Sequence, residues 1–183
     1  MLSESDVQVP LATGGKPATH AIIPVGCGGI AQAVTQHYKS ATPSSREQPP
    51  AAVIAVEPST AACLNASLSN LGHKTESSSV TIDNVADSIM CGMNCGTLST
   101  TAWPILRNGV DASVVVSDLD AHNAVQEFLQ HGVAAGPCGA STLAALEAVC
   151  ANAEERERLG LDESAVVVLF CTEGARGYVV PTE

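Results

Sequence analysis

Aromatic side chains are nearly missing from this chain: two Phe, two Tyr and one Trp make up 3% of 183 residues. With a hydrophobic fraction of 45%, the core must be built from Ala, Val, Ile and Leu, as in layered α/β proteins. Positive charge is also scarce, eight Lys and Arg against nineteen Asp and Glu, for a net charge of −11. No basic stripe interrupts that excess, so nucleic acid and anionic membrane surfaces are excluded as partners. No apolar run approaches the ~20 residues of a membrane span. The first residues, MLSESDVQVPL, lack the basic-then-apolar order of a secretory leader, and a cytoplasmic protein is expected.

Metal and nucleophile patterns are missing too. Cys91 and Cys95 are four apart in CGMNC, but no second Cys/His pair with short ligand spacing follows, so zinc is not expected. The seven cysteines are odd in number and mostly sit among small or apolar neighbours. They read as reduced thiols packed as small hydrophobes. His20, His37, His73, His122 and His131 show no metal spacing and no convergence with a Ser or Cys nucleophile, so they read as surface or satisfied residues rather than parts of a hydrolase.

What is present alternates in a regular way. AIIPV, AAVIAVEP, ASVVVSD and AVVVLF are short apolar runs bounded by turn residues, the pattern of buried strands. Between them lie predicted helices over 28–40, over STAACLNASLSNLG with Ser59 or Thr60 as N-cap and Gly72 beyond its end, near Trp103 to Arg107, over SDLDAHNAVQEFLQHG with a Ser117/Asp120 capping box, and over GPCGASTLAALEAV. SATPSSREQPP reads as a loop and AEERERLGLDES as a solvated charged stretch. The predicted fold is α/β, a mostly parallel sheet with helices on both faces. Residues 1–18 are polar and turn-rich and read as a lead-in segment, with 19–183 as the α/β domain.

In PVGCGGIAQAVTQ, Gly26, Gly28 and Gly29 stand where a buried strand passes into a helix. Unpaired amides, a positive helix end and the absence of side chains make that junction a phosphate site. Two ligands compete. Gly26 to Ala31 fits the loose dinucleotide pattern G-x-G-x-x-G/A, with Glu57 closing the next strand as a ribose-binding acid would, which suits an NAD-binding oxidoreductase. The other is pyridoxal phosphate.

The second ligand rests on a resemblance. KPATHAIIPVGCGGIAQAV, AVEPSTAACLNASL, SIMCGMNCGTLSTTAWPILRNGV, GVAAGPCGASTLAALEAV and VVVLFCTEG resemble, in this order, the second half of the tryptophan-synthase-β-like, or fold type II, pyridoxal-phosphate enzymes. They are most similar to the diaminopropionate ammonia-lyase group, over nearly everything from Lys16 to Gly174. The resemblance implies that Gly26, Cys27, Gly28, Gly29 and Ile30 hold the cofactor phosphate and that the Thr172 hydroxyl meets the pyridine nitrogen. It further implies α,β-elimination on a small amino acid, and it allows the homodimer usual among relatives. Cys91, Met93 and Cys95 fall in a segment near the cofactor in the family, and Glu57 either lines the site or caps the following helix.

The chain departs from that pattern in its lysines. In the family the Schiff-base lysine and the substrate-carboxylate loop lie in the first half of the chain. Only Lys16, Lys39 and Lys74 are present here, and none has the desolvated context that suits a lysine to Schiff-base work. The expectation is therefore a partial domain, inactive alone, without the lysine-bearing region and the smaller domain. A non-catalytic module that binds phosphate ligands remains the alternative.

Overall fold

The computed structural model describes residues 1–40, 50–70 and 78–182. Strands β1 (His20–Pro24), β2 (Ala52–Pro58), β3 (Ala112–Val116) and β4 (Val167–Leu169) form one parallel sheet in the order β3-β2-β1-β4. Parallel neighbours need crossovers, and seven helices are described: α1 (Leu2–Ala12), α2 (Gly29–Lys39), α3 (Cys63–Ser69), α4 (Trp103–Gly109), α5 (Asp118–Gln130), α6 (Pro137–Ala151) and α7 (Ala153–Leu159).

Strand alternation divides the core between the two faces. Ala21, Ile23, Val53 and Ala55 pack with Ala31 and Val34 of α2 and Leu106 of α4. Ile22, Ile54 and Val56 pack with Ala121 and Ala124 of α5 and with Ala140, Ala144 and Ala145 of α6. Alanines on both latter helices let them approach the sheet and each other closely, so few aromatics are needed. Each fully buried Val, Leu or Ile contributes roughly 1.5–3 kcal/mol. Among the described residues, no helix is long and apolar enough to cross a membrane.

Several predicted boundaries change. The lead-in segment is not turn-rich: Leu2–Ala12 is helical, though none of its residues is buried. Leu2 leans on the core and His37 of α2 meets Asp6 at 3.0 Å. The charged stretch after α6 is also a helix, opened by Asn152 accepting from the Glu155 amide and closed by Gly160 at φ 67°. Its acids and bases lie three and four apart, which supports a solvated helix as well as a loop. The sheet is fully covered only at its centre. β4 is three residues long and half-buried, and Val115 of β3 is 40% exposed; both are edge strands. Residues 41–49 of the first loop, with Gly72, His73 and Lys74, lie outside the described residues.

The capping box of α5 is present, with Ser117 Oγ accepting from the Asp120 amide at 3.1 Å. Neither Ser59 nor Thr60 caps α3, which starts at Cys63. The cap comes from Glu57 instead, whose fully buried carboxylate accepts from the Leu64 and Asn65 amides, each at 2.7 Å. Burial pushes that carboxyl up from 4.5 to about 7, against the opposing pull of the two amides.

Glu57→Ala would leave two buried amides unpaired and should cost about 2–4 kcal/mol in a urea titration. Between 4.5 and about 7 the folded chain keeps a proton that the unfolded chain has lost. The contribution of this group to stability therefore falls as pH rises through that window. Urea midpoints measured across it should decline with rising pH in the native chain and be flatter in Glu57→Gln.

Candidate functional site

The chain leaves β1 toward β2 and β3 and returns on the other side as β4. This makes the carboxyl ends of β1 and β4 a topological switch point, where open α/β sheets hold their ligands. The Phe170 amide donates to the Ile22 carbonyl at 3.0 Å, which lays residues 170–173 beside the turn from β1 to α2. A cavity of about 470 Å³ opens there. Its wall holds Gly26, Cys27, Gly28, Gly29 and Ile30 from one side and Thr172 from the other, together with Gly92, Met93, Cys138 and Glu173.

The three loop glycines answer to different constraints. A Cβ at Gly26 would stand 3.0 Å from the Gly92 carbonyl oxygen. Gly28 has φ +92°, and a Cβ there would stand 3.0 Å from both Ala102 Cβ and Leu106 Cδ1. A Cβ at Gly29 would meet nothing within 4 Å. The loop is thus pinned from behind by the 92–106 segment and open on its cavity side. Among the described residues, no backbone carbonyl accepts from the amides of Gly26, Cys27, Gly28, Gly29 or Ile30. Free amides at the positive end of an eleven-residue helix suit a phosphate.

Thr172 is held by a stiff backing. The Gly136 amide donates to the Glu173 carbonyl at 3.0 Å, and Ala135 bridges Gly174. At Gly139 a Cβ would lie 2.6 Å from Cys171 Sγ, so α6 presses directly on this segment. The Glu173 carboxylate accepts from the Cys138 amide at 2.7 Å and from Arg176 Nε at 2.7 Å. Arg176 also donates to the Ile89 carbonyl, tying the segment to the 3₁₀ turn Cys91–Met93. The ion pair offsets the one carboxylate in the cavity wall.

Sequence reasoning missed Glu173 and Arg176, although Glu173 stands beside Thr172 in CTEG. It also expected the cysteines to pack in the core. Only Cys63 and Cys138 are buried, whereas Cys27, Cys91, Cys150 and Cys171 are exposed and Cys95 is half-buried. Met93 is buried and reaches the cavity. Glu57 does not line it, since both carboxylate oxygens are taken up by α3. Neither described lysine lines it: Lys39 ends α2 and pairs with Asp111 at 2.6 Å, and Lys16 lies before β1, beyond the opposite edge of the sheet.

Residues 8–172 match the family described as pyridoxal-phosphate dependent enzymes. The chain belongs to that family. Its cofactor is pyridoxal phosphate, and the glycine cradle fits the phosphate of that group.

Solved structures agree in fold. A threonine deaminase from T.th. is 20% identical with a TM-score of 0.68, covering 97% of this chain and 58% of that one. Maize serine racemase is 22% identical with a TM-score of 0.68, covering 96% and 49%. Diaminopropionate ammonia lyase from Escherichia coli, in complex with D-serine, is 25% identical with a TM-score of 0.64, covering 94% and 43%. The chain thus spans about half the length of these structures. No curated protein matches it. Family membership, with the occupied carboxylate of Glu57, overturns the dinucleotide reading.

Gly28→Ala should destabilise the fold by about 1–3 kcal/mol, through its left-handed φ and the contacts behind it. Gly29→Ala should change stability by less than about 0.5 kcal/mol while adding a methyl at the cavity wall. Thermal unfolding and a binding titration with pyridoxal phosphate should separate the pair, with Gly29→Ala losing affinity at native stability.

Proposed function

We propose that this chain forms the phosphate-holding part of a pyridoxal-phosphate-dependent ammonia-lyase that removes a β-substituent from a small amino acid such as diaminopropionate. The observation that carries the reading is that Gly26 to Ile30 and Thr172, from opposite ends of the chain, line one cavity at the sheet's switch point. In this reading the loop amides bind the phosphate dianion, and the α2 dipole adds to their attraction. The Thr172 hydroxyl, backed by α6 and the Glu173–Arg176 pair, meets the ring nitrogen. A neutral hydroxyl leaves that nitrogen largely unprotonated, which suits elimination. When bound, the cofactor supplies an electron sink for bond breaking at the amino acid's α-carbon.

The ammonia-lyase assignment draws on the ordered sequence motifs and on the likeness to the Escherichia coli lyase. In the same reading, residues 1–18 lead into a partial domain over 19–183, whose lysine-bearing region and smaller domain lie elsewhere. The complete enzyme works in the cytoplasm as a homodimer. The chain alone binds the cofactor without catalysing, because neither described lysine lines the cavity.

Titration of the purified chain with pyridoxal phosphate should give saturable binding, competed by inorganic phosphate, with no comparable binding of NAD. Borohydride should fix no stoichiometric label on Lys16, Lys39 or Lys74. Ammonia release from diaminopropionate by the chain alone, with one of those lysines labelled, would overturn the claim of inactivity; saturable binding of NAD alone would overturn the assignment.

A further inference from the structure

Cys27 lies inside the glycine loop, between Gly26 and Gly28, with its side chain exposed. Its sulfur stands 2.9 Å from that of Cys95. Cys95 Sγ donates its own proton to the Thr97 carbonyl at 3.0 Å. A thiol carries one proton, so Cys27 is the donor between the two sulfurs. The hydrogen bond to Cys95, and then burial, hold the Cys27 thiol above the ordinary thiol range. The same segment grips the loop's main chain, for the Ser99 amide donates to the Cys27 carbonyl at 2.9 Å. Among the described residues, no other two thiols make such a contact.

The geometry points to Cys27 and Cys95 as a reversible dithiol–disulfide site that controls the grip of the glycine loop on a phosphate. Its second half rests on the function proposed above; its first half does not. A disulfide places its sulfurs ~2.05 Å apart, so the two must close by about 0.9 Å. Closing draws Cys27 toward residues 95–99 and shifts the flanking amides of Gly26 and Gly28 relative to the start of α2. A cradle built from main-chain donors has no flexible side chain to absorb that shift. The oxidised form therefore binds phosphate more weakly.

The oxidant is a low-molecular-weight disulfide such as oxidised glutathione, for which the exposed Cys27 gives access. The thiolate of one cysteine attacks it, forming a mixed disulfide and releasing one small thiol. The other cysteine loses its proton to water and attacks the protein sulfur of the mixed disulfide, releasing the second small thiol. The two protein thiols are oxidised by two electrons in all, and the small disulfide is reduced by two. Cys63 and Cys138 do not compete, since both side chains are buried and closed to a small disulfide, whereas Cys27 is exposed.

The test is to equilibrate the purified chain in graded ratios of oxidised to reduced glutathione, map its disulfides by mass spectrometry, and titrate each form with pyridoxal phosphate. The expected result is a linked Cys27–Cys95 peptide that dithiothreitol reverses. Affinity should be about fivefold or more weaker in the linked form. Cys95→Ser, with Cys95→Ala as a second variant and thermal midpoints to verify folding, should bind equally well before and after oxidant. Absence of the link, linkage of Cys27 to another cysteine, or a linked form with unchanged affinity would overturn the proposal. If the reduced chain does not bind pyridoxal phosphate while the linked peptide still forms, the functional reading and the control of grip fall together, and the disulfide site stands.

Discussion

The parallel pairing of β1 with β4 is the contact on which the site depends. His20, Ala21 and Ile22 run beside Val167, Val168 and Leu169, and the Phe170 amide extends the ladder by one bond to the Ile22 carbonyl. That short register brings a segment from near the end of the chain against the turn that follows the first strand. With β4 beside β1, the chain reverses direction across the sheet at that point, leaving a crevice between the carboxyl ends of two adjacent strands. The cavity, the glycine loop and Thr172 all meet in it.

Main-chain geometry dominates the two walls of that crevice. On one side the loop needs Gly26 and Gly28 because backbone and α4 side chains stand directly behind them, and it leaves Gly29 open toward the cavity. On the other side α6 comes so close that Gly139 has no room for a side chain against Cys171. Glu173 then serves as both cap and counter-ion, accepting from the Cys138 amide and from Arg176. A site built this way presents fixed main-chain donors and tolerates little displacement, and the contact of Cys27 with Cys95 stands directly beside them.

Much of this was legible in the sequence, though unevenly. The four apolar runs became the four strands, and the Gly28–Gly29 junction opens the helix expected of it. Gly26, Gly28 and Gly29 stood out at the strand-to-helix junction, and the family resemblance added Cys27, Ile30 and Thr172; all six line the cavity. Misreadings came where local signals have two outcomes. AEERERL carries acids and bases that suit a solvated helix as well as a loop, and the first segment is a polar helix that buries none of its residues. Ser59 and Thr60 looked like caps because caps are usually local, whereas the carboxylate that closes α3 comes from Glu57, at the end of the preceding strand. Arg176 follows its ion-pair partner Glu173 by three residues, but its tie to the Ile89 carbonyl spans 87 residues of chain and left no local signal.

By itself, the sequence determined a layered α/β core of small aliphatic residues, a glycine-rich junction where a strand meets a helix, and the resemblance to a cofactor family. These depend on periodicity, glycine spacing and motif order, all written along one stretch of chain at a time. Only the tertiary structure decided that Glu57 serves the fold and not the site, that Thr172 shares a cavity with the glycine loop, and that Cys27 faces Cys95 rather than packing in the core. The physical reason is that each depends on which strands pair and how closely helices approach the sheet. Those choices are made by the packing of the whole core, and no local pattern encodes them.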